Sequence, residues 1–385
     1  MVLDKNVTSP HGIILAGTQS WGGCVLDEIC SRPLLPLLGR PVVWFIVDWL
    51  RRSGITQISI CGNQNTPLIR EQLGDGTLLG VSIDYHEDPM PRGTAGCIRD
   101  AAARTNASEI VAVDATVLTD VNLREMLAAH REEGASLTVI AGKNLAVPSP
   151  NHLQPAGVYI ISRPALEHIP PTTYQDIKEM WIPRLYQNRL KAVSHQIDLT
   201  SYVRVLNGKS YLSAMAWAIR QVQKHARLNA GYRRVAGSLV HSSARLAPTA
   251  RLVGPCVIGP ECRVKEGATL IGPVVLGAET VVGEGCILSH TGTWRSARIG
   301  AEAVIDRSIL IRGSTVEPRM VVRDAIWGHP SAAKDVASLY WWPSPAADFA
   351  PPSSPKPREK TTRLAPTPVE ETAVPAPLPG VAVPQ

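Results

Sequence analysis

The chain reads as two folded parts of different rhythm: an α/β domain with a mostly parallel sheet and helices on both faces, then a left-handed parallel β-helix. Two observations predict this. From His11 to about Ile197, short β-rich runs alternate with segments of helical periodicity, which is the pattern of a parallel sheet covered on both faces. From Leu246 onward an aliphatic residue recurs every six positions, at Leu246, Leu252, Ile258, Val264, Leu270, Leu276, Val282 and Leu288. A third observation bounds the fold: from Pro343 to Gln385 the chain is rich in Pro, Ala, Ser and Thr and nearly devoid of aromatics, a composition that cannot offset its ordering entropy and predicts disorder.

The elements follow in order. Ile13, Ile14 and Leu15 form a buried strand, and Ala16-Gly17 turn the chain at its end, where an open α/β sheet usually holds a phosphate. Gln57–Cys61, Val81–His86 and Glu109–Val113 are further strands. Between them Val42–Ser53, Pro67–Leu73, Thr94–Ala103 and Asn122–Glu133 have helical spacing, and Gly54 stops the first of these helices. Lys209–Leu228 reads as one connecting helix. The expected boundaries are 1–208 for the α/β domain, 209–237 for the connection, 238–327 for the β-helix, 328–342 for a cap and 343–385 for the disordered tail.

In the second part, small residues stand four positions after most of the aliphatics, at Ala250, Cys256, Cys262, Ala268, Thr280 and Cys286, and glycines follow directly at Gly259, Gly277 and Gly283. Each six-residue side turns one aliphatic residue into a triangular core, and the small residue fits near the corner. The register breaks at Ser289–Arg298 and resumes at Ile299, Ile305 and Ile311, which predicts a loop expelled from a coil. Trp327, Trp341 and Trp342 read either as a cap on the last coil or as an interface.

Bulk properties exclude several classes. With 385 residues and 44% hydrophobic content, two ordinary cores are expected. The most apolar run, Val42–Leu50, is short and contains Asp48, so no membrane span is expected. The N-terminus lacks a secretory pattern, and the seven cysteines have no paired spacing, which points to a reducing cytoplasm without disulfides or zinc. A net charge of +6, spread out, suits a small anionic ligand and argues weakly for nucleic acid.

The segment His11–Pro41, HGIILAGTQSWGGCVLDEICSRPLLPLLGRP, resembles the opening of the sugar-nucleotide pyrophosphorylases, whose pattern is L-A-G-G-x-G-T-R-L-x-P-L-T, seven residues, then P-L-L-P. The resemblance extends over roughly residues 11–320 and implies a Rossmann-like nucleotidyltransferase domain, similar to that of mannose-1-phosphate guanylyltransferases or glucose-1-phosphate thymidylyltransferases. By it, Ala16, Gly17 and Arg32 sit in the phosphate region, Arg32 standing for the Lys of P-K-P. Gly62-Asn63-Gln64-Asn65-Thr66-Pro67 resembles the base-reading segment, with Gln64 as base contact. Pro91-Arg92-Gly93-Thr94-Ala95-Gly96 matches P-L-G-T-A-G, which closes over base and ribose; read alone, Gly93-Thr94-Ala95 is equally a tight turn into a helix. Ala156-Gly157-Val158-Tyr159 matches the N-A-G-I-Y strand.

The chemistry of the family is not intact. Its reaction needs Mg²⁺ carried by two aspartates and an arginine gripping the triphosphate. The run L-V-L-N-G-D-V-L-T-D reads here Val111-Ala112-Val113-Asp114-Ala115-Thr116-Val117-Leu118-Thr119-Asp120, so the first metal aspartate is Thr116. The second falls at Arg204, and the G-T-R arginine at Gly22, beside Trp21, which either plugs an abandoned phosphate site or lies in a surface loop. The E-K-P segment has no counterpart between Gly142 and Pro155. The resemblance therefore implies a catalytically silent chain, with no cofactor and Mg²⁺ only if it is active. The expected role is regulatory or scaffolding, or that of a nucleotide-sugar sensor. Partners are a nucleotide sugar or nucleoside triphosphate, and a second copy or an active paralogue joined through the β-helix, without nucleic acid or membrane. The alternatives are an active sugar-1-phosphate nucleotidyltransferase with a rebuilt metal site, in which Asp114 serves as a displaced ligand, and an acyltransferase using His290 as base. Arg204 reads two ways: as a fixed cation in place of the metal, or as the ion-pair partner of Asp114 or another acid.

Overall fold

The computed structural model describes residues 9–17, 24–64, 66–87, 92–143, 153–224, 231–330 and 335–342. Trp21, Gly22, Asn65, Pro91 and the Pro-rich tail lie outside the described residues.

The N-terminal part is built on a seven-stranded sheet. From edge to edge its strands are Ala192–Ile197, Leu137–Lys143, Leu153–Ser162, Glu109–Asp114, His11–Leu15, Gln57–Gly62 and Ser82–Glu87. All neighbours are parallel except around Leu153–Ser162, which runs antiparallel to both of its neighbours. The sheet is thus mixed, with one reversed strand in an otherwise parallel order. The central strands read as near-continuous apolar runs because both faces are covered, whereas the edge strands Ser82–Glu87 and Ala192–Ile197 alternate with polar residues. On one face Ile14, Ile58, Ile60, Val111 and Val113 pack under the helix Val42–Arg52, which is buried along its length from Val42 to Leu50. On the other, Ile13, Leu15, Ile110 and Ala112 pack under Gly93–Ala102 through Ala95, Ile98 and Ala101.

The strand ends decide where the site lies. Leu15 is level with Cys61 on one side and with Asp114 on the other, so Ala16, Gly62 and Asp114 emerge together at the carboxyl edge. A second, small sheet adds a residue there. Val117–Thr119 pairs antiparallel with Tyr202–Arg204, placing Arg204 opposite Val117, three residues beyond Asp114.

The connecting helix is Gly208–Lys224, and it leads into stacked parallel strands wound as a β-helix with faces of seven, five and five strands. The inward aliphatics and cysteines expected from the repeat are core residues, with Cys256, Ile258, Cys262, Ala268, Leu270, Leu276, Val282, Cys286 and Leu288 all fully buried. No described cysteine is in a disulfide.

The break in the repeat is not an expelled loop. Val257 pairs with Val275, eighteen residues on, but Val275 pairs with Gly292, seventeen on, and Gly292 with Ile309, again seventeen. One corner has lost a residue. Gly272-Pro273 turns the chain in one coil, whereas His290, Arg307 and Asp324 each turn it alone in the next three, with φ of 48°, 44° and 50°. Ser289–Arg298 is therefore ordinary coil, and its inward residue is Thr293, whose hydroxyl meets that of Thr280 at 3.0 Å inside the core. The shortened period also moves the inward position from Ile311 to Leu310: Leu310 lies in the β-helix core, and Ile311 packs outward into the core shared with the N-terminal part.

That shared core forms because outward residues of the seven-stranded face, Leu239, Val257, Val275 and Ile309, are apolar and buried against the connecting helix. A polar link runs through it, from Trp294 Nε1 to Tyr211 Oη at 3.0 Å, and from that hydroxyl to the Pro36 carbonyl. Trp327 belongs to the last coil, its Nε1 donating to Thr315 O at 2.9 Å. Trp341 and Trp342 do not cap that coil; they pack on the turn at Gly39, in the N-terminal part. No described helix is long and apolar enough to cross a membrane.

Candidate functional site

The centre of the site is Asp114. It ends its strand, and the two-residue turn Ala115-Thr116 folds back so that Asp114 Oδ1 accepts both the Thr116 amide at 2.9 Å and the Thr116 hydroxyl at 2.8 Å. Asp114 Oδ2 accepts from Arg204 Nη2 at 2.5 Å. Thr116 is 1% exposed, Asp114 21% and Arg204 31%, so the pair is half shielded from solvent. Of the two readings of Arg204, the geometry is that of the ion pair.

Gly157 lets the neighbouring strand pass this cluster. Its φ is +88°, and a Cβ there would stand 2.9 Å from Val117 Cγ2 and 3.2 Å from Asp114 Cβ. Tyr159, two residues on, is buried beside the same groups. Desolvation pushes its phenol up to about 12, with Arg204 opposing and the Asp114 and Asp176 charges adding to the shift.

Arg32 is not free to meet a phosphate. Its Nε and Nη2 grip the two oxygens of Asp27 at 3.0 and 2.9 Å, and the arginine is 7% exposed. The bond to Asp27 raises the pKa of the guanidinium above its ordinary range, burial opposes this, and Asp114 adds a smaller contribution. Asp27, Arg32, Asp114 and Arg204 thus form two neighbouring pairs of zero net charge. Asp27 escaped the sequence reading; its signal was an acid five residues before the motif Arg32, on the short helix Val25–Ile29.

The Gly93-Thr94-Ala95 turn is docked on the chain itself. Gly93 has φ +76°, and a Cβ there would stand 2.3 Å from Gln175 O. Gln175 N donates to Arg92 O at 2.8 Å, and Ala95 N donates to Gln175 O at 3.0 Å. Thr94 Oγ1 donates to Asp176 Oδ2 at 3.2 Å. In this chain, the closeness that glycine permits serves the Gln175 backbone. Asp176 also caps the helical turn Ile177–Trp181 through the amides of Lys178 and Glu179 at 2.7 and 3.1 Å. Sequence reasoning missed that segment, although Asp176 followed at three residues by Glu179 is a capping signature.

Of the remaining expected residues, Ala16 is buried, its amide on Cys61 O at 2.6 Å. Gly17 and Gln64 are exposed at the same edge. Gly22 lies outside the described residues. His290 is far along the β-helix at a corner, its Nδ1 2.8 Å from Ser289 Oγ.

The donor set does not fit Mg²⁺. The divalent ion demands oxygen ligands in near-octahedral array. Here both oxygens of Asp114 are engaged, the Thr116 hydroxyl is spent on one of them, and a cation occupies the other. Among the described residues, no group of three or more His, Cys, Asp or Glu is placed to hold a metal.

Residues 12–149 match the family model described as nucleotidyl transferase. Over this span the N-terminal part of the chain is similar to that family. Its relatives include a mannose-1-phosphate guanylyltransferase of Mycobacterium tuberculosis, 24% identical over 259 residues, which are 61% of this chain and 71% of that protein. A D-glycero-alpha-D-manno-heptose 1-phosphate guanylyltransferase of Aneurinibacillus thermoaerophilus is 29% identical over 127 residues, 33% of this chain and 54% of that one. A glucose-1-phosphate thymidylyltransferase of Xanthomonas campestris is 36% identical over 93 residues, 23% of this chain and 30% of the relative. The matched span contains Asp114, whose partner Arg204 lies beyond it in the chain.

Proposed function

We propose that this chain is a catalytically silent relative of the sugar-1-phosphate nucleotidyltransferases, acting in the cytoplasm as a regulatory or scaffolding subunit. The observation that carries this reading is the Asp114–Arg204 pair with Thr116 at its side. In-line nucleotidyl transfer needs negative charge neutralised between attacking and leaving groups. A metal supplies several kcal/mol of that stabilisation. Arg204 places its charge on Asp114, and it cannot bridge two reacting groups in a shared coordination shell. Arg32, the other motif cation, is held by Asp27. A silent member would act through assembly, with a second copy or an active paralogue joined through the β-helix, or by sensing a nucleotide sugar without converting it.

Pyrophosphate release measured with a panel of nucleoside triphosphates and sugar 1-phosphates, with Mg²⁺, tests the reading. No turnover is expected. Turnover within about tenfold of the usual enzyme range of roughly 1–10³ s⁻¹ would overturn it and establish an active transferase with a rebuilt site.

A further inference from the structure

The segment Asp335–Trp342 is bound to the rest of the chain in an unusual way. It contains one short helical turn, Ala337–Leu339, and pairs with no described strand, so no sheet ladder holds it. Its anchors are side chains and two amides. Trp341 N and Trp342 N both donate to Gly39 O, at 3.0 and 3.2 Å. Tyr340 Oη donates to Leu34 O at 2.6 Å. Leu339 is fully buried, and Trp342 is 7% exposed.

The receiving surface is shaped for this segment. Gly39 turns the hairpin between Pro36-Leu37 and Arg40-Pro41 with φ +78°, and a Cβ there would stand 2.6 Å from Trp341 Cδ2 and 2.8 Å from Trp342 N. Arg40 is 5% exposed, its guanidinium 3.8 Å from the Trp44 ring centroid and 5.0 Å from that of Trp342. Trp342 also stacks on Tyr232 at 4.5 Å and 11°, and Tyr232 meets His241 edge-on at 5.1 Å. The order Trp44, Arg40, Trp342, Tyr232 joins the nucleotidyl transferase domain to the first strand pair of the β-helix through one inserted indole. Desolvated cation–π and stacked pairs of this kind are among the stronger side-chain contacts available without a charge partner.

The groove lies against the site. Leu34 and Gly39, whose carbonyls the segment takes, follow Arg32 in one continuous stretch, and Pro36 O between them is held by Tyr211. We propose that the groove between the Gly39 hairpin and the Tyr232 strand is a binding site for an aromatic peptide, filled in cis by Tyr340-Trp341-Trp342, and that its occupancy keeps the Arg32–Leu38 stretch, with Arg32 on Asp27, in place. The occupant is held by its side chains and two amides, and its backbone is not part of a ladder. Its release would break three hydrogen bonds and expose Leu339 and Trp342, but no strand ladder. Its departure would free the Leu34 and Gly39 carbonyls and one face of Arg40, and loosen the stretch that positions Arg32.

Hydrogen exchange on the full chain, resolved by peptide, tests this against the Trp341→Ala/Trp342→Ala variant. The amides of Leu34, Leu35 and Val42, which are bonded to Ser31, Arg32 and Leu35 carbonyls, report on the stretch. They are expected to exchange at least tenfold faster in the variant, while Gln57–Gly62 and the β-helix strands keep wild-type rates. A saturating synthetic peptide of the sequence Asp335–Trp342 should then restore protection. Unchanged rates at 34–42, equal acceleration across the whole chain, or no restoration by the peptide would each overturn the proposal. Tyr340→Phe, which keeps the ring and removes one hydroxyl, gives an independent reading. A few-fold acceleration confined to Leu34 and Leu35 is expected, and none at all counts against the site.

Discussion

The ion pair at the centre of the site should be measurable as a coupling energy. Arg204→Met removes one charge and keeps the stem, and Asp114→Asn removes the other while leaving an oxygen for the Thr116 donors. Exposed pairs in such cycles give about 0.2–1 kcal/mol, whereas breaking a buried pair costs about 3–5 kcal/mol. Arg204 and Asp114, at 31% and 21% exposure, stand between these limits. The Oδ1 bonds from Thr116 orient the carboxylate, so little side-chain entropy opposes the contact. A coupling of about 1–2 kcal/mol follows by interpolation. Urea unfolding of the wild type, both single variants and the double variant gives the four free energies. The coupling should weaken only partly in 1 M salt, because the pair is half shielded. A coupling under about 0.3 kcal/mol, or one erased by salt, would place the pair with ordinary surface contacts and refute its reading as a fixed part of the site.

Three further outcomes are expected. His130 is buried between Thr138 Oγ1 at 2.7 Å and Ser162 Oγ at 2.9 Å, and burial lowers its pKa below the ordinary 6.5, as it does for His11, His86 and His241. The unfolded chain therefore binds more protons, so stability present above pH 6.5 is lost as pH falls below it, and Tm should drop between pH 7.5 and 5.5, less steeply in His130→Gln; a Tm that is flat or rises would contradict this. Leu270→Ala empties a fully buried position of the β-helix and should cost about 2–5 kcal/mol by urea unfolding, with a cost under 1 kcal/mol showing that the coil collapses around the gap. Gly157→Ala forces a side chain into φ +88° and 2.9 Å from Val117, and should destabilise by about 1–3 kcal/mol, unless the Arg204 strand shifts away, which a crystal structure of the variant would reveal.

The local code of the chain carried the architecture. Apolar runs bounded by Gly and Pro placed four strands and four helices of the first part, and a six-residue period placed the β-helix, because burial on a regular element imposes a fixed spacing whatever its surroundings; the strands Leu137–Lys143 and Ala192–Ile197 were not read. The motif comparison reads Thr116 and Arg204 where the resembled family carries two acids, and that expectation needs only the sequence. What the spacing could not convey was which groups meet. The lost corner residue at His290 looks in sequence like an insertion, because a period of seventeen puts six-residue steps out of phase; only the pairing of Val275 with Gly292 shows a deletion. Arg32 reads as a phosphate cation until Asp27 is seen gripping it, and Gly93 as a ligand-facing glycine until Gln175 is found against it. Arg204 lies ninety residues from Asp114 in the chain. A charge has no period, and its partner is chosen by distance in space. The class and period of most elements were therefore determined by the sequence alone, and the edge strands, the closing of the site by ion pairs and the docking of Trp342 on Arg40 by the tertiary structure.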